Sequence, residues 1–276
     1  MQVKIGIIGG TGRMGTFFRE VFERAGWEVQ VAGRSTPQSP ADVAGACDVV
    51  MVSVPIRETA GVIRSVAPLL SEDQVFCDLT SLKTGPVEAM LASRAQVVGL
   101  HPMFGPTVSS LSGQTIIATP ARCTQETLDL LLSVFWSQGA RVTLSTPEEH
   151  DRIMAVVQGL THFVTLGVAE TMRRVGVKPE DTLAFMSPVY QMEMSLVGRL
   201  LSQDARLYAD ILGQNPHVIP VIEACEGTFS SLREIIGTGD TDAFEEVFRK
   251  NAQHFGAYCQ KAAQESDLLI ASMVRQ

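Results

Sequence analysis

The feature that most constrains this chain is an alternation, kept up over its first half, of short apolar segments with amphipathic stretches of helical period. VKIGII (Val3 to Ile8) is β-branched and continuous, as a strand buried on both faces should be. RMGTFFREVFERAG follows with Met14, Phe17, Phe18, Val21 and Phe22 on one helical face and Gly26 as its stop. EVQVAG, DVVMVSVP, QVFCDL and QVVGLHP read as the next strands, and QTIIATP and RVTLST as further ones on either side of a helix from Gln125 to Trp136. Strand, helix, strand at this spacing predicts an α/β fold: a doubly wound, Rossmann-type parallel sheet covered on both faces.

Near Pro147 the texture changes. From Glu148 onward the pattern is helical throughout, with no strand signal and no internal repeat. The expectation is a dinucleotide-binding domain over residues 1–147 and an all-helical substrate and dimerisation domain over residues 148–276. With 45% hydrophobic and 19% charged residues, both can bury cores. A net charge of −8 argues against a nucleic-acid partner, which would require a basic face. The five cysteines (Cys47, Cys77, Cys123, Cys225, Cys259) are scattered and form no C-x-x-C pair, so they are expected to be reduced, buried thiols of a cytoplasmic protein. No signal-peptide pattern opens the chain, and no apolar run is expected to reach membrane-spanning length.

GIIGGTGRMG, at residues 6–15, joins the first strand to the first helix and spaces Gly10, Gly12 and Gly15 as G-x-G-x-x-G. In that context Gly10 is expected to permit the turn, Gly12 to admit a pyrophosphate, and Gly15 to let helix pack on strand. Thr11, Arg13 and Met14 complete the cofactor loop. An NAD site places a carboxylate at the end of the second strand. Here Gly33 stands in its place, followed by Arg34, Ser35 and Thr36. A cation with two hydroxyls suits a 2′-phosphate, which favours NADP, with NAD as the alternative.

Ligands of open α/β sheets bind at the carboxyl ends of strands. His101 ends the fifth strand in GLHPMFGP, where it can take a hydroxyl proton while hydride leaves the same carbon. Ser81, at the neighbouring edge in DLTSLKTGP, is placed to orient that imidazole, and Lys83 reads as a surface charge. Asp78 and Asp48 read as boundary residues. His150 and Asp151 read as the capped start of a long helix, Asp151 favouring its dipole, because no third ligand stands at metal-binding spacing. His217 and His254 receive no role, and Met186, Met192 and Met194 read as core or pocket wall.

These motifs, together with EEHDRIMAVVQGLTHF and MSPVYQMEMSLVGRLLSQDARLYADIL, resemble the prephenate dehydrogenase family over nearly the whole chain, most of all the dehydrogenase part of the bifunctional chorismate mutase–prephenate dehydrogenases. The resemblance implies oxidative decarboxylation of prephenate to 4-hydroxyphenylpyruvate in tyrosine biosynthesis, hydride transfer to a nicotinamide, no metal, and a homodimer joined through the helical domains. It makes His101 the catalytic histidine at the ring hydroxyl and Ser81 its neighbour near the nicotinamide. It also places Arg199 on a substrate carboxylate and His162 in the pocket wall. Gln191, in YQMEM, stands where the bifunctional enzymes have a cation, so arogenate or 4-amino-4-deoxyprephenate stay open as substrates. No mutase domain is expected before the first strand and no regulatory domain after the last helix. GGTGRMG and GRS also resemble F420-dependent NADP reductases, against which GLHPMFGP and the helical half count. A non-enzymatic nucleotide sensor would need neither His101 nor Ser81.

Overall fold

Seven strands form one sheet, and where its connections reverse direction is what positions the candidate site. The computed structural model describes residues 2 to 274. By contact the chain divides into a first unit, up to Ala155 with Arg206–His217 added, and a second unit, Val156–Ala205 with the chain from Val218 on. The division differs from a boundary after residue 147 in two places, because residues 148–155 and Arg206–His217 go with the sheet.

The first unit is built from β1 (Lys4–Ile8), α1 (Arg13–Arg24), β2 (Glu28–Ala32), α2 (Pro40–Ala46), β3 (Val49–Val52), α3 (Ile56–Val66), β4 (Val75–Asp78), α4 (Thr84–Leu91), β5 (Gln96–Pro102), β6 (Thr115–Arg122), α5 (Gln125–Trp136), β7 (Arg141–Leu144) and α6 (Pro147–Met154). The strand order is β2-β1-β3-β4-β5-β6-β7. Neighbours pair parallel except β5 and β6, which are antiparallel, so the sheet is mixed where a purely parallel one was expected. The reason is the connection: residues 103–114 form a loop without a helix, and a parallel return needs a crossover element.

Side-chain parity sorts the two cores. Ile5, Ile7, Val49, Met51, Val75, Cys77, Val98 and Leu100 pack against Phe17, Phe18, Phe22 and Phe135 of α1 and α5. Ile8, Val50, Val52, Phe76 and Val97 pack against Val43, Ile63, Val66, Val87 and Met90 of α2, α3 and α4. His101 shares the parity of Val97 and therefore leaves β5 on the α4 side. Phe104, just past β5, lies against Phe17 and Phe18, with ring centroids 5.6 and 6.4 Å apart, and ties the loop after the histidine to α1.

The second unit is helical: α7 (Thr161–Val175), α8 (Pro179–Thr182), α9 (Pro188–Leu201), α11 (Val218–Thr238), α12 (Thr241–Phe255) and α13 (Tyr258–Val274), while α10 (Ala205–Gln214) belongs to the first unit but for its first residue. Within it, α7 packs on α9, α11 on α12, and α13 on both α9 and α12. None of the residues of α7, α9 or α12 is fully buried. Two further expectations are corrected. The helical stretch Pro147–Val175 is long and apolar enough, by length and composition, to cross a membrane; Gln158 and His162 break its apolar run, which is why the sequence pattern hid it. Of the five free cysteines only Cys47 and Cys77 are buried, whereas Cys259 is exposed.

Candidate active site

Strand order reverses between β1 and β3, so the cleft for a ligand opens at their carboxyl ends. The turn there is made by Gly9, with φ of +86°, rather than by Gly10 as the motif suggested. A Cβ on Gly9 would lie 2.2 Å from the Ser53 carbonyl of β3's end, so no larger residue fits. Gly15 packs its bare Cα onto the same turn, where a Cβ would come within 2.5 Å of the Gly9 carbonyl. Helix α1 then starts from Gly12 with no side-chain cap and no acidic residue in its first turn. Its first amides, and the exposed Arg13 beside them, leave positive potential without an internal counter-charge. That arrangement fits a dinucleotide pyrophosphate. Met14 packs its side chain into the α1 core, so it can serve a cofactor only through its backbone.

At the end of β2, Thr36 is committed to the turn: its hydroxyl accepts from the Gly33 amide at 2.7 Å and bonds the Gln38 carbonyl at 2.8 Å. Ser35 is exposed. Arg34 is 86% exposed and forms a two-point pair with Glu58, at 2.9 and 3.0 Å, in the first turn of α3.

Three strand spacings from β1 along the same edge, roughly 14 Å away, the end of β5 carries His101, which is 2% exposed. Its Nδ1 lies 2.8 Å from Nε2 of His150, and His150 Nδ1 lies 2.8 Å from Asp151 Oδ1. Asp151 also accepts the backbone amides of Lys83 at 2.8 Å and Thr84 at 2.9 Å. These are the opening amides of α4, a helix with no cap of its own, so Asp151 caps a helix 67 residues away rather than its own. Asn215, past the end of α10, donates to the Asp151 carbonyl at 2.7 Å, and Arg57 grips Asp210 at 2.8 and 3.0 Å, which explains why Arg206–His217 docks on the sheet.

Lys83 is not a surface charge. It is fully buried, with Nζ 2.6 Å from Asp78 Oδ2 and 2.8 Å from the Leu100 carbonyl. Asp78 also closes the strand-end turn by accepting from the Thr80 amide and hydroxyl. Gly99 makes room for this arrangement: a Cβ there would meet Thr119 Oγ1 at 2.4 Å and the Lys83 stem at 3.1 Å.

The electrostatics follow from burial. Desolvation, then the neighbouring His150 and the Lys83 ammonium, hold His101 well below the usual histidine range against the opposing pull of Asp151. Its imidazole is therefore neutral at neutral pH. Burial alone would raise the Asp151 carboxyl, but hydrogen bonds from His150, Thr84 and Lys83 outweigh it and hold it at about 2. Burial pulls the Lys83 ammonium down and the Asp78 carboxylate opposes it.

Ser81 is half-buried and makes no hydrogen bond among the described residues; His150 occupies the position behind the ring that the sequence reading gave to serine. His162 on α7 and Gln191 and Arg199 on α9 lie in the helical unit, on two helices that pack together. His162 is half-buried, and burial lowers its pKa. Gln191 and Arg199 are exposed, and the Arg199 guanidinium pairs with no carboxylate among the described residues. His150, Asp151 and the depth of Lys83 were missed from sequence. The one signal was the adjacency of a histidine and a carboxylate in the first turn of α6, and its partner lies 49 residues upstream.

A bare glycine turn at the switch point of a doubly wound sheet, with a neutral buried histidine farther along the same edge, is the construction of a nicotinamide-dependent oxidoreductase. The comparisons agree. The nucleotide-binding domain of prephenate dehydrogenase matches residues 22–144, and the prephenate dehydrogenase dimerization domain matches residues 146–250. A "Probable arogenate/prephenate dehydrogenase" of Methanocaldococcus jannaschii is 32% identical over 294 residues, covering 100% of this chain and 66% of that protein. A "T-protein" of Haemophilus influenzae is 32% identical over 268 residues, covering 97% of this chain and 71% of that one. The chain thus spans about two thirds of the length of these relatives. Among solved structures, prephenate dehydrogenase from A. aeolicus, in complex with hydroxyphenyl propionate and NAD+, superposes with a TM-score of 0.72 at 24% identity, over 92% of this chain and 98% of that one, which shows the shared fold.

The chain belongs to the prephenate dehydrogenase family. Membership carries the family's chemistry, oxidative decarboxylation of prephenate with a nicotinamide cofactor in tyrosine biosynthesis.

Proposed function

We propose that this chain oxidises prephenate to 4-hydroxyphenylpyruvate and CO2, prefers NADP to NAD, and uses His101 as the acceptor of the ring hydroxyl proton. The observation that carries the reading is His101 itself, neutral and buried at the carboxyl end of β5 in the dinucleotide unit. When bound, the oxidised nicotinamide supplies the hydride acceptor. The C4 hydroxyl proton passes to His101 as the C4 hydrogen leaves with its electron pair. The ring carboxylate departs as CO2, and its bonding electrons complete the aromatic ring as a phenolate, which takes the proton back from His101 to give the product hydroxyl; loss of CO2 makes the step irreversible. On this reading Ser81 serves the nicotinamide side of the site rather than orienting the imidazole. Gly10, Thr11, Gly12, Arg13, Met14 and Gly15 hold the pyrophosphate through the turn and the helix end.

Arg34 is the residue for the 2′-phosphate, with Ser35 and Thr36 beside it. Leaving Glu58 costs little, since an exposed pair is worth about 0–1 kcal/mol. Arg199, a guanidinium without an internal carboxylate, anchors a substrate carboxylate, and His162 and Gln191 line the substrate side. Gln191 favours a second reading, arogenate or an amino-substituted relative, because an amide replaces a cation at that position. A homodimer joined through the helical unit, in the cytoplasm, completes the proposal; the dimerization-domain match supports it.

The test is a reduced-nicotinamide absorbance assay with prephenate, arogenate and 4-amino-4-deoxyprephenate, each with NAD and NADP. Turnover of prephenate with NADP is expected. Turnover of none of the three sinks the substrate class, and a lower KM for NAD sinks the reading of Arg34.

A further inference from the structure

The chain of contacts Asp151–His150–His101 fixes more than distances. An ionised carboxylate has only lone pairs to offer, so across the 2.8 Å contact His150 Nδ1 is the donor to Asp151 Oδ1. A neutral imidazole carries one N–H, which leaves His150 Nε2 as an acceptor. His101 Nδ1, 2.8 Å from it, must then carry its ring's proton, and the lone pair of His101 lies at Nε2. The carboxylate that starts this sequence is itself held in place by the Lys83 and Thr84 amides, and the backbone behind it by Asn215.

We infer that His150 and Asp151 are positioning residues that lock His101 in the Nδ1–H tautomer, so that Nε2 is the nitrogen that takes the substrate's proton. The catalytic half of this statement rests on the reading of His101 as proton acceptor; the tautomer does not. Besides His150 and Asp151 from α6, the charged group turned toward His101 is Lys83, whose charge Asp78 of β4 compensates. Protonation of His101 itself fills Nε2 and removes the base, so the acidic limb of kcat follows His101.

The test needs no substrate for its first arm. Protein labelled with 15N in its histidine rings is compared with His101→Asn to assign the His101 signals. The expected result is a protonated Nδ1 and a bare Nε2. Asp151→Asn is expected to invert the sequence of donors, leaving His101 with Nε2–H, and to lower kcat by on the order of 10²–10³-fold while KM and cofactor binding stay put.

His150→Leu should lose a similar amount. His150→Gln, whose amide oxygen can still accept from His101 Nδ1, should recover most of it and move the acidic limb of kcat upward, since the lowering effect of His150 on His101 is gone. His150→Gln leaves every contact of Asp151 with Lys83 and Thr84 in place, so it answers the question even where Asp151→Asn fails to fold. A bare Nδ1 in the unaltered protein overturns the proposal. So does a His150→Leu variant with unchanged kcat and pH profile. Failure to turn over prephenate with the expected tautomer present would instead count against the substrate reading alone.

Discussion

The two units of this molecule solve the problem of an apolar sequence in opposite ways. In the sheet unit every strand from β1 to β5, except the edge strand β2, is buried almost end to end, and even a lysine and two histidines are brought to full burial with their partners. In the helical unit large apolar side chains stay at the surface: Phe185 is 87% exposed, Leu268 74% and Phe248 69%. Scattered exposed leucines are ordinary, but exposed aromatic rings at Phe185, Phe229, Phe244, Phe248, Phe255 and Tyr258 call for a covering surface. The sheet unit therefore carries its own core, while the helical unit fits a domain whose core is completed by association, as its match to a dimerization domain implies. Fixed chemistry belongs on the first kind of scaffold and adaptable assembly on the second.

The sharpest way to break that contrast is at the fixed chemistry. His101→Asn should cut kcat by about 100–10,000-fold with the fold and cofactor binding intact. In the unaltered enzyme kcat should hold down to pH values well below the ordinary histidine range and fall only as the depressed pKa is crossed, because protonation there removes the base. That acidic limb should vanish in the variant. Stopped-flow and steady-state rates across pH decide it; a variant with full kcat removes His101 from the chemistry.

Next in size is the buried pair. Lys83→Met leaves Asp78 charged and dry and should destabilise the protein by about 3–5 kcal/mol, read by denaturant titration. The matching change in the helical unit, Arg174→Ala, breaks only an exposed pair with Glu170 and should shift stability by about 0.5 kcal/mol or less. Equal effects would erase the distinction between the units.

Association should respond where the sheet unit does not. Phe248→Ala should weaken the dimer by about 2 kcal/mol, roughly thirtyfold in its dissociation constant. Sedimentation at micromolar concentration would show it, and a monomeric unaltered protein would refute the contrast outright.

On the substrate side, Arg199→Ala should raise KM by about 10–100-fold, with kcat and cofactor affinity little changed; Arg199→Lys should restore only part of it, since an ammonium lacks the planar two-point contact. At the cofactor the expected effect is of similar size. Gly33→Asp should favour NAD over NADP by about 1–3 kcal/mol in calorimetric titration. Its new Cβ would stand 2.9 Å from Thr11 Oγ1, a contact that only a shift of the exposed Thr11 side chain relieves.

Much of this was legible in the sequence, and the boundary of legibility has a physical cause. Local rules place strands and helices correctly: the continuous apolar run in DVVMVSVP and the spacing of Phe17, Phe18, Val21 and Phe22 depend on neighbours within a turn or a pleat. His101 was visible because a strand end is a local feature. Lys83 was misjudged because nothing within five residues reveals that Gly99, on another strand, leaves its stem a channel. His150 and Asp151 were taken for a capped helix start because their partners lie 49 and 67–68 residues away. The antiparallel turn of β6 was hidden because hydrophobic pattern carries no direction.

The cap that Asp151 places on α4 has a consequence for the order in which the molecule forms. A helix of eight residues with no cap of its own is marginal alone. Its first turn gains its missing acceptor only when a segment 67 residues further along the chain has arrived, a closure that costs loop entropy before it returns anything. The start of α4 and the histidine pair should therefore mature late and together. The amides of Lys83 and Thr84 would then report, by their hydrogen exchange, the moment at which α6 docks: protected with the rest of the sheet unit once it has, and open while β1, β3 and β4 are already closed if it has not.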